Sequence, residues 1–98
     1  MKNINRKKIL KEIENKKDII KEKGVKKIGL FGSFIKEKQN KKSDIDILIE
    51  FDEPNFEKYA EMLILLENLF KRKIDLVIES DLKPELKYVK KEAIYVKL

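Results

Sequence analysis

Phe31-Gly32-Ser33, then ten lysine-rich residues, then Asp44-Ile45-Asp46-Ile47-Leu48-Ile49-Glu50-Phe51 is the stretch that decides the reading of this chain. Side chains two apart on a strand point to the same face, so Asp44 and Asp46 converge while Ile45, Ile47, Ile49 and Phe51 turn toward a core. The Gly32-Ser33 pair before the loop makes a phosphate-sized turn. Glycine permits close backbone approach, and a hydroxyl with main-chain N–H groups at a helix start can receive phosphate oxygens. A further aspartate, Asp75, opens a second short apolar run, Ile74-Asp75-Leu76-Val77-Ile78, and supplies a third carboxylate if the two strands are neighbours. Carboxylate oxygens are the ligands Mg²⁺ prefers. Two acids on one strand face beside such a turn are the layout of a two-metal phosphoryl- or nucleotidyl-transfer site.

Composition removes competing chemistries. The chain contains no cysteine and no histidine, so a thiol nucleophile, a histidine general base, a Ser-His-Asp triad and an ordinary zinc site are all excluded. Catalysis must run on carboxylates, hydroxyls, lysines and a borrowed cation. The 98 residues make a single domain, 1–98, with one modest core. With 43% charged and 42% hydrophobic residues and a net charge of +6, a compact fold under a lysine-covered surface is expected. Such a surface attracts polyanions such as ATP or RNA, although most of these lysines read as simply solvated. No window approaches the ~20 apolar residues of a membrane span, and the lysine-rich start lacks the apolar stretch of a secretory signal. The expectation is a cytoplasmic protein with no membrane partner.

Periodicity gives the elements. Residues 5–23 place Ile9, Ile13 and Ile20 on one face at helical spacing, with Leu10 and Ile19 beside them, and Gly24 is the stop. Residues 25–31 read as a short buried strand, 34–38 as a short helix or loop, 39–43 as a polar run and 44–51 as the acidic strand. The turn Asp52-Glu53-Pro54-Asn55 carries a helix-start signature. The helix that follows, 56–70, is apolar over more than one stripe, so it is expected to face a partner chain as well as the sheet. Residues 74–78 form a further strand, Ser80-Asp81 a turn, and 84–93 a last helix with Leu86 and Val89 inward. Ile94-Tyr95-Val96 is expected as a short extended tail. The fold class is therefore α+β, with a three-stranded mixed sheet packed on about four helices.

These residues carry a resemblance. Leu30-Phe31-Gly32-Ser33-Phe34, its spacing to Ser43-Asp44-Ile45-Asp46-Ile47-Leu48-Ile49-Glu50, Ile74-Asp75-Leu76-Val77, and Leu82-Lys83-Pro84-Glu85-Leu86 followed by Glu92-Ala93-Ile94-Tyr95-Val96 resemble the minimal nucleotidyltransferases. These are the smallest members of the DNA polymerase β-like superfamily. Many, the MntA-type antitoxins, are paired with a HEPN-domain toxin. A lone Asp-x-Asp occurs by chance in most proteins; joined to Gly-Ser at this spacing and to a third strand aspartate it is specific. The resemblance runs from about Val25 to the end.

It implies a polymerase β-like palm fold in which Asp44 and Asp46 hold two Mg²⁺ ions. Asp75 would complete the site and assist deprotonation of an acceptor hydroxyl, and Gly32, Ser33 and Lys36 would grip the ATP triphosphate. It further implies transfer of AMP from ATP to a tyrosine hydroxyl of a HEPN ribonuclease toxin, silencing it, and hence a hetero-oligomer. One departure is visible. Family members commonly continue Gly-Ser-Phe-Ala-Arg-Gly, whereas this chain reads Gly32-Ser33-Phe34-Ile35-Lys36-Glu37. Lys36 keeps the positive charge without arginine's bidentate fork, and Glu37 replaces a glycine.

Plainer readings stand beside these. Ser33 could only cap the next helix, Asp44 could cap a loop with Asp46 solvated at an edge, and Asp75 could be a strand-entry aspartate. Lys36, Lys38, Lys41 and Lys42 could form a solvated loop. Tyr59, Tyr88 and Tyr95 read as packing residues and Arg72 as a surface charge. The chain has no room for an acceptor-holding domain, so the acceptor is expected from another protein chain or from a second copy of this one. The alternatives are a non-catalytic toxin-binding antitoxin, a nucleotidyltransferase acting on a small molecule or an RNA end, and, ranked last, an RNA-binding protein. No RNA-binding motif is present, and direct nucleic-acid binding is not expected.

Overall fold

The computed structural model describes residues 4–36 and 44–98; Glu37, Lys38, Lys41, Lys42 and Ser43 lie outside the described residues. Four strands form one sheet in the order β3-β2-β1-β4, with β1 Val25–Phe31, β2 Ile45–Phe51, β3 Ile74–Ile78 and β4 Ile94–Val96. β1 pairs antiparallel with both β2 and β4, and β2 pairs parallel with β3. The sheet is mixed, as expected, but it has four strands rather than three. Ile94-Tyr95-Val96 is no tail: it lies along Leu30-Gly29-Ile28 and satisfies a β1 edge that would otherwise present unpaired N–H and C=O groups.

Helix α3 (Phe56–Phe70) makes the crossover that parallel pairing of β2 and β3 requires. Asn55 caps it, its side chain accepting from the Lys58 main-chain N–H at 2.8 Å. Met62, Leu66 and Phe70 turn inward, while Phe56 stays 83% exposed and Ile64 58% exposed. The segment expected as one helix over 5–23 is two, α1 (Arg6–Asn15) and α2 (Lys17–Glu22). The chain breaks at Lys16, whose N–H bonds Ile13 O at 3.0 Å in a tighter turn. No side chain between Ile13 and Ile20 is buried, so no core contact holds residues 14–17 in a single cylinder.

One sheet face buries Ile28, Leu30, Ile45, Ile47 and Ile49 against Ile9, Ile13, Ile20, Met62 and Leu66. Each such side chain contributes about 1.5–3 kcal/mol by leaving water. The other face carries two rows set by register: Tyr95-Gly29-Leu48-Val77, and Phe31-Asp46-Asp75. Above it, the helix expected over 84–93 is a 3₁₀ turn, Pro84–Leu86, followed by the five-residue α4, Tyr88–Glu92. Val89 is buried as expected. Leu86 is not: it is 40% exposed, because the 3₁₀ turn puts it out of phase with α4. No helix among the described residues is long and apolar enough to cross a membrane.

Candidate active site

Apolar alternation on β2 and β3 brings the acidic residues together. With Ile45 opposite Ile74 and Ile47 opposite Leu76 on the core side, Asp46 and Asp75 fall opposite one another on the other face. Directly opposed residues of neighbouring strands have Cβ atoms about 5 Å apart, a destabilising separation for two like charges. Asp44 is half-buried immediately before β2, which begins at Ile45 rather than at Asp44 as expected. On its other side Asp46 is opposite Phe31, the last residue of β1, so the turn that follows reaches the same place.

That turn is the 3₁₀ segment Gly32–Phe34, closed by Ile35 N–H to Gly32 O at 3.1 Å and anchored by the fully buried Phe34 ring. Gly32 has φ of +75°, and a Cβ there would stand 2.8 Å from Asp46 Cγ and collide with the carboxylate oxygen. Only glycine lets Asp46 lean over this backbone. The Ser33 main-chain N–H donates to the Asp46 carboxylate.

Burial first, and then the neighbouring Asp75 charge, push the Asp46 carboxyl up to about 6. The Ser33 N–H pulls the other way, while a hydrogen bond shared with Asp75 and the charge of Asp44 push further up. No group of three or more carboxylates, histidines or cysteines already stands at metal-holding distance among the described residues. What they hold is a facing pair with Asp44 near it. This fits Mg²⁺, which is held by one or two carboxylates, with waters and substrate phosphates completing the shell.

A cavity of about 350 Å³ opens beside the pair, lined among others by Gly32, Lys36, Asp75, Val77, Tyr88 and Val89. Lys36 Nζ lies 3.8 Å from Glu92 Oε2 at its rim. A larger hollow of about 570 Å³ lies around the outer edge of β3 by Phe56 and Tyr59. It shares only Val77 with the first and has neither acid of the pair in its lining, so size alone does not mark the site.

Of the residues singled out in the sequence, Gly32, Ser33, Lys36, Asp46 and Asp75 come together, with Asp44 at the margin. Tyr59 donates its hydroxyl to Leu76 O at 2.6 Å and Tyr95 to Glu79 Oε2 at 3.2 Å, which makes both structural. The Arg72 guanidinium stacks 5.6 Å from the Phe34 ring centroid, supporting the turn rather than standing as a plain surface charge. Sequence reading missed the α4 wall, Tyr88 and Glu92 in particular. The signals for it were the apolar spacing of Leu86 and Val89 and the place of Glu92, without an assigned role, in the stretch that carries the family resemblance.

A family model described as the nucleotidyltransferase domain matches residues 7–96. The chain is 39% identical over 94 residues to the protein adenylyltransferase MntA of Thermococcus cleftensis, covering 89% of this chain and 95% of that protein. A solved structure of a candidate minimal nucleotidyltransferase superposes with a TM-score of 0.83 at 26% identity, over 96% of this chain and 98% of that one. A complex of a tri-AMPylated HEPN toxin from Shewanella oneidensis with an MNT antitoxin matches with a TM-score of 0.61 at 21% identity, over 88% and 70% of the two chains. That last likeness speaks to the fold alone.

Proposed function

The chain belongs to the nucleotidyltransferase family, and on that premise we propose that it is a Mg²⁺-dependent protein adenylyltransferase. It transfers AMP from ATP to a tyrosine hydroxyl of a cognate HEPN ribonuclease toxin and so acts as that toxin's antitoxin. The observation that carries the reading is the register of Asp46 against Asp75 at the same strand end as the Gly32-Ser33 turn. The reading of the acceptor as a protein is supported by the protein adenylyltransferase relative.

In the reaction the tyrosine oxygen bonds to the α-phosphorus of ATP, pyrophosphate leaves, and the phenolic proton is released. Asp44, Asp46 and Asp75 would hold two Mg²⁺ ions, which when bound offset triphosphate charge and stabilise attacking and leaving oxygens. Gly32, having no side chain, leaves room for the Asp46 carboxylate over the turn, and the Ser33 hydroxyl would donate to a phosphate oxygen. Lys36 exchanges Glu92 for the phosphates, a compact charge in place of the family's arginine fork. Asp75 would take the tyrosine proton, a role supported by its position on the edge strand and in the lining of the cavity.

The test is intact-mass analysis of a co-expressed HEPN partner after incubation with this protein and Mg·ATP. AMP adducts are expected on the partner, absent with chelator and absent with Asp46→Asn. A partner that is neutralised without gaining mass would replace this reading with inhibition by binding alone.

A further inference from the structure

The sole buried polar or charged side chain among the described residues is one that the adenylyl-transfer reading does not use. Glu79, 7% exposed, sits in the 3₁₀ turn Glu79–Asp81 directly after β3. A carboxylate removed from water requires compensation, and Glu79 has it from three elements. Its Oε1 accepts from Lys27 Nζ on β1 at 3.1 Å and pairs with Lys90 Nζ on α4 at 3.5 Å. Its Oε2 accepts from the Tyr95 hydroxyl on β4 at 3.2 Å. Lys27 Nζ also lies 4.7 Å from the Tyr95 ring centroid. That ring closes on the backbone of β1 because residue 29 is glycine: a Cβ there would come within 2.8 Å of Tyr95 Cδ1.

Helix α4 depends on such contacts. It has five residues, no side-chain cap and one buried side chain, Val89, and a helix that short does not hold itself together in water. Yet α4 supplies Tyr88, Val89 and Glu92 to the cavity beside Asp75, and Glu92 in turn pairs with Lys36. The Glu79 carboxylate is thus the point at which the ends of β3, β1 and β4 are tied to the wall of the cavity.

We propose that Glu79 is a positioning residue for nucleotide binding: through Lys90 and Tyr95 it fixes α4 over the sheet, so that the cavity beside Asp75 is formed before the nucleotide arrives. The role rests on the adenylyl-transfer reading in that the ligand is Mg·ATP. Removing the clasp leaves the acidic pair and the Gly32-Ser33 turn intact but makes nucleotide binding carry the ordering of α4.

The experiment measures two quantities on the parent, Glu79→Ala, Tyr95→Phe and Lys90→Met proteins: hydrogen exchange of the α4 amides, and anisotropy of a fluorescent ATP analogue with Mg²⁺. In Glu79→Ala, protection of the Lys90 and Ala93 amides is expected to fall. Analogue affinity is expected to drop about tenfold, the scale of losing a charge-assisted contact. The single-partner variants should show the same two changes in smaller measure. Parental affinity in a folded Glu79→Ala protein, or unchanged exchange, overturns the role. If Glu79→Ala does not fold, parental affinity in both Tyr95→Phe and Lys90→Met overturns it. A parent protein that binds no analogue while its α4 amides are protected is a different result, and sinks the adenylyl-transfer reading itself.

Discussion

Replacing Asp46 by Asn is expected to stabilise the metal-free protein while abolishing transfer. The Asp46 carboxyl is raised from 3.8 to about 6 in the folded chain. At 1.36 kcal/mol per pKa unit that bounds the destabilisation at about 3 kcal/mol, and because the site is half-open to solvent we take about 1–2 kcal/mol. The sign follows from linkage. Between the unfolded and folded values the folded chain binds more protons, so stability falls as pH rises from about 4 to about 6 and the penalty is fully present above that. Asn escapes the penalty. Its Oδ1 can still accept from the Ser33 N–H, and its Nδ2 can donate to Asp75, the bond the shared proton otherwise makes.

The assay is thermal melting in chelator at pH 5 and pH 7.5. In a domain of this size 1 kcal/mol moves Tm by about 4–8 °C, so Asp46→Asn should melt roughly 4–16 °C above the parent at pH 7.5, with a smaller gap at pH 5. Glu79 does not confuse this window. Although burial pushes it up, Lys27, Tyr95 and Lys90 together leave it below its ordinary value of 4.5, so its stabilising share is present above that value and disappears only at lower pH. Added Mg²⁺ should raise the parent's Tm through binding to the folded state and leave the variant's unchanged. An Asn variant that melts at or below the parent in chelator at pH 7.5 would refute the argument that the acidic pair is under electrostatic load.

Three further outcomes are expected. Gly32→Ala forces a side chain onto φ of +75° and into Asp46, costing about 1–3 kcal/mol and suppressing transfer, read by melting and by AMP incorporation. Lys36→Arg restores the fork of the family pattern and should lower KM for ATP about two- to fivefold with little change in kcat. Lys36→Met should raise it. Ile47→Ala opens a cavity at a fully buried position on β2, opposite Leu76 of β3, and should cost about 2–5 kcal/mol in denaturant titration.

The shared face of Asp46 and Asp75 was legible because it follows from alternation, whereas the adjacency of β2 and β3 is only a condition in the sequence and comes from the structure. Once Ile45, Ile47 and Leu76 are assigned to the core, the acids have one face left to them, and a one-residue slip would bury them. The fourth strand was not legible. Three residues, Ile94–Val96, have too little pattern to distinguish strand from tail, and their pairing with Ile28–Leu30 is a fact of tertiary structure. The break at Lys16 and the 3₁₀ turn before α4 escaped for the same reason, since backbone propensity there is overruled by where the core lies. The Glu79 clasp is further still from sequence logic: its Lys27 and Tyr95 partners are 52 and 16 positions away, and alone the lysine reads as a solvated charge and the tyrosine as a packing residue.

Topology also explains why the chemistry gathers at one end of the sheet. β2 and β3 run parallel, so the starts of both strands, carrying Asp46 and Asp75, lie at the same edge. β1 runs antiparallel to β2, so its end, and with it the Gly32-Ser33 turn, arrives at that edge too. Had β3 been joined to β2 by a hairpin instead of the fifteen-residue α3, Asp75 would start its strand at the far end of the sheet. The helix that looks like packing is therefore what brings the second carboxylate to the first. The cost of that meeting, two acids opposed across a strand pair, is offset by the apolar rows on the reverse face of the same strands, so the residues that hold the site together are those that cannot take part in its chemistry.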